Sequence, residues 1–183
     1  MNSKKIENLI KQLLEEIGED SQREGLKETP SRTAKSYEKL FGGYSQDPKK
    51  IFTEFDGENY DEMIICEDID FYSTCEHHMQ PFFGKISIGY IPDKKIIGLS
   101  KLPRLVEIYS RRLQNQERLT MQIASTLTEL IKPKGAGVVV KAKHLCMMAR
   151  GVEKQNASMT TSYCTGLFKN DAKTRNEFLR LIQ

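Results

Sequence analysis

The sequence lacks features that mark several large classes of protein. No apolar run is long enough to cross a bilayer, because stretches such as GVVVKA are interrupted by lysine within a few residues. It has no concentrated stripe of basic residues, and a net charge of +3 with a pI near 8.6 falls well short of a dedicated nucleic-acid binder. Internal repeats and low-complexity linkers are also absent. We therefore expect a globular protein that binds neither membranes nor nucleic acid.

Cysteines are few, and they do not follow the pattern of a secreted protein. Their spacing is irregular, and the first residues, MNSKKIENLIKQLLEE, are charged and amphipathic, so we expect no signal peptide. Reduced thiols in a cytoplasm fit this usage. Cys66 and Cys164 lie in strand-like apolar stretches and are interpreted as core thiols.

The hydrophobic pattern predicts an ordered succession of helices and strands. Apolar residues at helical spacing up to Gly18 predict a first helix, and Thr29 as N-cap before Pro30 predicts a second. Strand patterns at 62–71 and 81–100, helical patterns at 102–113 and 119–131, strand patterns at 135–149 and 157–168, and a short helix at 177–182 follow. Such segregated runs predict an α+β fold, with residues 1–60 as an N-terminal helical extension and 61–183 as the main domain.

Every histidine in the chain lies within three residues of a cysteine. In CEHH, Cys75 and His78 have a gap at which a turn can bring a thiolate and an imidazole to one metal ion. In HLCMMAR, His144 and Cys146 are two apart on a predicted strand, so both side chains should share a face. Cys75, His78 and Cys146 would form a zinc site that leaves one position open, as catalytic sites do. His77 and His144 would then be close enough to transfer protons.

Two other interpretations of this cluster stay open. The residues could be buried thiols and ordinary histidines, which is the commoner fate of any one of them alone. A structural zinc site is the second alternative, with a fourth ligand from His77, His144, Cys66 or Cys164. A zinc nucleobase deaminase is disfavoured because the H-x-E and P-C-x-x-C elements are absent.

Cationic and polar residues stand in neighbouring segments. LSKLPR supplies Ser100, Lys101 and Arg104, and Arg150 follows Cys146 by four residues. Cationic and hydroxyl side chains of this kind bind phosphate oxygens. The alternative is that these residues form a solvated basic rim. In LQNQERLT, Gln116 and Glu117 precede an apolar helix. The carboxylate there is either a helix-start residue or an acceptor for two donors of guanine.

The sequence resembles the GTP cyclohydrolase I family in four motifs, STCEHHM, GLSKLPR, QERLT and HLCMMARG, in the family's order and spacing from about Gly25 to Phe168. The resemblance implies a tunnelling fold, with antiparallel strands backed by a helix pair, in a ring-shaped homodecamer with active sites between subunits. It implies Cys75, His78 and Cys146 as the zinc ligands.

The implied reaction opens the imidazole ring of GTP, releases C8 as formate and gives 7,8-dihydroneopterin triphosphate, the start of folate-type pterin synthesis. Zinc would supply activated water. By the same resemblance His144 and His77 carry protons and Glu117 with Gln116 holds guanine. The triphosphate contacts that it implies are Ser100, Lys101, Arg104, Arg150 and, by a weaker match, Arg32 and Lys35.

Two rival functions remain. Another tunnelling-fold enzyme, such as a pterin synthase or a deazaguanine nitrile reductase, would act on a similar ring, and the reductase would consume a nicotinamide. A zinc-stabilised oligomer that binds nucleotides for regulation would release no formate.

Overall fold

A computed structural model describes the whole chain, residues 1–183. The chain divides into two compact units, Met1–Gly42 and Gly43–Gln183. Residues 43–60, which the sequence pattern assigns to the helical extension, lie in the larger unit. The predicted boundary at residue 60 stays a prediction, because compactness alone does not identify a segment that folds by itself.

The smaller unit consists of two helices. Helix α1 spans Ser3–Glu16 and begins at Asn2, whose side chain accepts a hydrogen bond of 3.0 Å from the backbone N–H of Lys5. The hydroxyl of Ser3 donates to a carboxylate oxygen of Glu38 on the second helix, at 3.0 Å. The prediction of two N-terminal helices is confirmed.

The start of the second helix differs from the prediction. Helix α2 spans Thr29–Leu40, so Thr29 is its first residue and Glu28 occupies the cap position without a side-chain cap bond. The hydroxyl of Thr29 points back to the carbonyl oxygen of Gly25, at 3.5 Å, and is not the acceptor that an N-cap needs. Pro30 is therefore the second residue of the helix and not the first, as predicted, but it still lies in the first turn, where its missing N–H costs nothing.

The larger unit mixes strands and helices, which confirms the α+β class. Its strands are β1 (Glu54–Asp56), β2 (Ile64–Cys75), β3 (Pro81–Ile91), β4 (Lys95–Ile97), β5 (Leu113–Gln114), β6 (Gly135–His144) and β7 (Met159–Thr165). Its helices are α3 (Lys101–Ser110), α4 (Gln116–Ile131), α5 (Leu145–Met148), α6 (Gly166–Asn170) and α7 (Ala172–Leu181). Two 3-10 turns, Gly42–Ser45 and Pro48–Lys50, precede β1.

The main sheet has five strands in the order β5-β2-β3-β6-β7. Its pairs are antiparallel except for β5, which runs parallel to the end of β2. A bulge between Cys66 and Ile69, with Asp68 at φ 55°, interrupts the register of β2. After the bulge Ile69, Phe71 and Cys75 are buried, so the alternation carries the last residue of the strand onto the core face.

Helices cover both faces of this sheet. The apolar sides of α3 and α4 bury Leu105 and Leu119 against one face, where the hydrophobic core lies. On the opposite face α6 and α7 place Phe168 and Phe178 over Gly137. A Cβ atom at Gly137 would lie 2.6 Å from a ring carbon of Phe168, so only glycine admits the two rings.

Candidate metal centre and active site

Three ligand-type side chains converge where β2 and β6 end. Cys75 is the last residue of β2, His78 follows in the turn, and Cys146 lies just after β6. Their ligand atoms all lie within 4.8 Å of one another. Two thiols and one imidazole are ligands that zinc prefers, and three of them leave a tetrahedral position free. The predicted trio is therefore brought together in a group that could hold a metal ion.

The turn that carries His78 is closed by backbone hydrogen bonds. The N–H of Cys75 donates to the carbonyl of Gln80, and the N–H of Met79 donates to the carbonyl of Cys75, both at 2.8 Å. Met79 has a positive φ of 54°, which lets the chain reverse within these residues. Nδ1 of His78 is consequently 4.0 Å from Sγ of Cys75.

The position of Cys146 differs from the prediction. Strand β6 ends at His144, which pairs with Phe82, and Cys146 belongs to the short helix α5. None of the residues of LCMM is β-branched, and Leu and Met favour a helical turn, which the N–H of Ala149 closes on the carbonyl of Leu145 at 2.8 Å. The helical turn, and not strand alternation, brings this thiol to the cluster.

The two thiols of the cluster influence each other electrostatically. Burial raises the pKa of the Cys146 thiol, and contact with Cys75 raises it further, while Arg150 acts in the opposite direction. A bound cation would reverse this balance, because metal coordination deprotonates a thiol. The guanidinium of Arg150 also lies beside the cluster, with its Nη1 3.4 Å from Nε2 of His78.

The other two histidines flank the cluster in different surroundings. His77 is exposed, and its Nδ1 is 3.9 Å from Sγ of Cys75. His144 is half-buried, and its ring stacks on Phe82 with centroids 4.7 Å apart and planes 5° from parallel. Burial lowers the pKa of His144, and the carboxylate of Glu117 opposes that effect. A neutral imidazole in this position can accept a proton.

Glu76, between the ligands of the turn, contacts the start of α4. Its carboxylate accepts a hydrogen bond of 2.9 Å from Nδ2 of Asn115 and forms an ion pair with Arg118. The hydrogen bond from Arg118 is the main reason why the pKa of Glu76 is lowered. The N–H of Glu76 also donates to the carbonyl of Gln114, at 2.9 Å. These contacts agree with a structural role for Glu76, and the sequence did not reveal Arg118 as its partner.

Gln116 and Glu117 stand side by side in the first turn of α4 but face different surroundings. Glu117 is exposed at a cavity of about 480 Å³ that Met121 and Tyr163 also line. Gln116 is only 1% exposed, and its Oε1 lies 2.8 Å from Nε2 of His144. The predicted contact of Gln116 with a substrate stays a prediction, although its carboxamide is occupied inside the protein.

The predicted phosphate contacts fall into three places. Ser100 precedes α3, and Lys101 and Arg104 lie in its first turn, where the helix dipole favours anions. Arg150 lies beside His78. The remaining pair belongs to the smaller unit, where Arg32 and Lys35 are exposed on α2.

Comparison with known proteins identifies the family to which this architecture belongs. A family model described as GTP cyclohydrolase I matches residues 6–183. The chain belongs to the GTP cyclohydrolase I family. The prediction of an enzyme of this family, a hydrolase, is confirmed.

The relatives match over all or nearly all of their length. The chain is 57% identical over 186 residues to "GTP cyclohydrolase 1" of Wolinella succinogenes, covering 100% of both chains. It is 56% identical over 180 residues to the protein of the same name from Helicobacter pylori strain G27, covering 97% of this chain and 99% of that one. The Leptospira biflexa protein of that name is 54% identical over 179 residues, covering 97% and 98%.

A solved structure titled "Crystal structure of the archaeosine synthase QueF-Like in the apo form" is similar at 16% identity with a TM-score of 0.46, covering 57% of this chain and 93% of that one. The GTP cyclohydrolase I assignment does not depend on this distant likeness.

None of the helices combines the length and the apolar character needed to cross a bilayer.

Proposed function

We propose that this chain is a zinc-dependent hydrolase that opens the imidazole ring of GTP, releases formate and forms 7,8-dihydroneopterin triphosphate, the first step of tetrahydrofolate-type pterin biosynthesis. The observation that carries the proposal is the convergence of Cys75, His78 and Cys146, flanked by His77 and His144, in a member of this family. GTP as substrate agrees with the names of the relatives.

Cys75, His78 and Cys146 would hold the zinc ion. A metal ion held by three ligands would supply activated water at its open position, which is the chemistry that hydrolysis at C8 requires. The ion pair between Glu76 and Arg118 supports the turn that carries two of the ligands. By fixing the residue that lies between Cys75 and His78, this pair would hold the turn in the shape that the trio needs.

The two flanking histidines transfer protons in the proposed reaction. His144 lies beside the cluster, two residues before Cys146, and would protonate the purine nitrogen when the ring opens. His77, which is exposed, would serve the later proton transfers at the ribose carbons. Neither residue is needed to complete the trio of ligands.

Guanine and the triphosphate would be held by different groups. Glu117 would accept hydrogen bonds from N1–H and the exocyclic amine of guanine, because its carboxylate borders an open cavity. The proposed triphosphate contacts are cationic or hydroxyl side chains: Ser100, Lys101, Arg104, Arg150, Arg32 and Lys35. The helix start that carries Ser100 supports this role, because backbone N–H groups at a helix N-terminus attract phosphate.

We also propose the tunnelling fold and a homo-oligomer, a decamer with active sites between subunits. The main sheet supports an assembly through its edges. Strand β7 is an edge strand, and β5 covers β2 only at Thr74 and Cys75, which leaves most of that edge unpaired. An unpaired edge offers backbone N–H and C=O groups with which a strand of another chain could pair. The cytoplasmic location stays a prediction from cysteine usage.

One assay tests the reaction. Zinc-loaded protein incubated with GTP should release formate and a fluorescent pterin in equal amounts. Protein with Cys146→Ser, treated in the same way, is the control for metal dependence. Consumption of NADPH without formate would favour the nitrile reductase, and GTP binding without either product would favour a regulatory binding protein.

A further inference from the structure

Gln116 combines almost complete burial with a full set of polar contacts. It is the first residue of α4 and is 1% exposed. Its Nε2 lies 3.0 Å from the carbonyl oxygens of Val140 on β6 and Met159 on β7, and 3.1 Å from the hydroxyl of Thr161. The side chain therefore connects the helix with two strands of the sheet.

These contacts fix the orientation of the carboxamide. The amide nitrogen has two hydrogens to donate, and the groups around it include two carbonyl oxygens that can only accept. Turning the carboxamide round would press its own oxygen against both carbonyls. Oε1 must therefore point the other way, to Nε2 of His144 at 2.8 Å.

The orientation of Gln116 decides which nitrogen of His144 carries the hydrogen. A carboxamide oxygen only accepts, so Nε2 has to be the N–H donor of the imidazole. Stacking on Phe82, with planes 5° from parallel, holds the ring plane, and the hydrogen bond prevents rotation within it. Nδ1 is the nitrogen that is left to accept.

We propose that Gln116 is a positioning residue that fixes His144 with its hydrogen on Nε2 and reserves Nδ1 for exchange of protons with the substrate. The role in turnover rests on the proposed function, whereas the hydrogen-bond assignment does not. Gln116 would then act on the reaction through His144 and would not contact guanine itself. This separates the tasks of two adjacent residues, because only Glu117 borders the open cavity.

A spectroscopic measurement tests the assignment directly. Zinc-loaded protein with 15N-labelled histidine is recorded by magic-angle-spinning NMR near pH 8.5, about two units above the usual imidazole pKa. His144→Ala identifies the His144 signals by their loss. We expect a protonated Nε2 and an unprotonated Nδ1 in the wild type. A wild-type spectrum with the hydrogen on Nδ1 overturns the proposal, whatever happens to any variant.

Kinetics separate positioning from substrate contact. Gln116→Met keeps the length of the side chain but removes donor and acceptor, so we expect mixed His144 tautomers and a kcat lower by roughly ten- to a hundred-fold, with KM for GTP changed less than about two-fold. A raised KM with unchanged kcat would indicate contact with guanine and would overturn the proposal. An unchanged His144 spectrum in this variant would overturn it as well.

The matched control is Thr128→Val on the same helix. Thr128 bonds to Thr165 on β7 at 2.8 Å, so its loss also removes a hydrogen bond between α4 and that strand. We expect it to lower stability without changing kcat or the His144 spectrum, and an equal loss of kcat in both variants would contradict positioning. Wild-type protein that releases no formate from GTP would refute the proposed function, while the spectrum would still decide the contact of Gln116.

Discussion

The carboxylate of Glu76 pairs with the guanidinium of Arg118, 42 residues further along the chain. Glu76 lies between two candidate ligands, Cys75 and His78, and Arg118 follows Glu117 in the first turn of α4. The pair therefore connects the proposed metal turn to the proposed guanine contact. A change in the structure of the proposed metal turn should therefore alter the position of the proposed guanine contact, and the reverse.

Glu76→Gln should weaken zinc binding by about ten-fold, the low end for losing an outer contact of a metal site, because Glu76 holds the turn and bonds to no ligand side chain. The neutral carboxamide keeps the shape but loses the ion pair with Arg118. Competition with a chelator measures the affinity. Glu54→Gln is the control, because Glu54 also forms an ion pair, with Lys95, and its side chain is similarly accessible, 32% against 26% for Glu76. Equal zinc affinity in both variants would contradict the role of Glu76.

Cys146→Ser should lose zinc and turnover together. Removal of one thiolate leaves two ligands and an open site, which binds zinc far more weakly. Metal analysis of the purified variant, beside a formate assay, measures both. Cys164→Ser is the matched control, since Cys164 lies on β7 and is not one of the trio. A full complement of zinc in the Cys146 variant would show that the ligand assignment is wrong.

His77→Ala and His144→Ala should keep zinc and lose about a hundred-fold or more in kcat. Both residues are proposed to carry protons, and neither is one of the three clustered ligands. Zinc content and single-turnover formation of formate are the measurements. Loss of zinc in either variant would move that histidine among the ligands and would favour the structural zinc site.

The sequence was sufficient where structure depends on neighbours along the chain. The apolar spacing before Gly18 predicted α1, and the alternation along Pro81–Ile91 predicted β3, because both periods can be read within one segment of the sequence. The metal trio was predicted because the ligand types are few and clustered. The sequence pattern did not predict which side chains are buried near the ends of β2 and β6.

What the sequence did not reveal depends on distant partners. Strand β5 has two residues and exists because the end of β2 pairs with it. The environment of Gln116 is formed by carbonyls that lie 24 and 43 residues away, at Val140 and Met159. The hydrophobic periodicity of α4 therefore cannot predict those contacts. Cys146 was misplaced for a related reason, because the end of β6 is set by its pairing with β3.

Asp171→Ala should destabilise the C-terminal helix in a pH-dependent way. The Asp171 carboxylate caps α7 by accepting from Thr174 and Lys173, and the hydrogen bond from the Thr174 side chain is the largest cause of its lowered pKa. A lowered folded pKa means that the stabilisation is present above the usual aspartate pKa near 3.8 and is lost as pH falls through the folded value. The melting temperature of the variant should be lower at pH 7, and the difference should vanish in acid. A difference that grows in acid would contradict the cap.

Glu117→Gln should abolish the preference for guanine. The carboxylate offers two acceptor oxygens to two donors that guanine has and adenine lacks, so the wild type should turn over GTP and reject ATP by something on the order of ten-thousand-fold. The glutamine keeps the shape but turns an amide N–H toward the N–H of guanine. GTP binding should weaken sharply while zinc stays bound, because Glu117 is not one of the clustered ligands.

The competing explanation for Glu117 is a carboxylate that only stabilises the start of α4. It lies in the first turn of that helix, where a negative charge contributes about 1 kcal/mol or less. That explanation predicts a lower melting temperature and unchanged nucleotide preference in Glu117→Gln. Glu129→Gln, at an exposed residue in the last turn of the same helix, controls for loss of charge. Unchanged GTP affinity in the Glu117 variant would exclude the recognition of guanine by this residue, because no second carboxylate lies in the first turn of α4 to replace it.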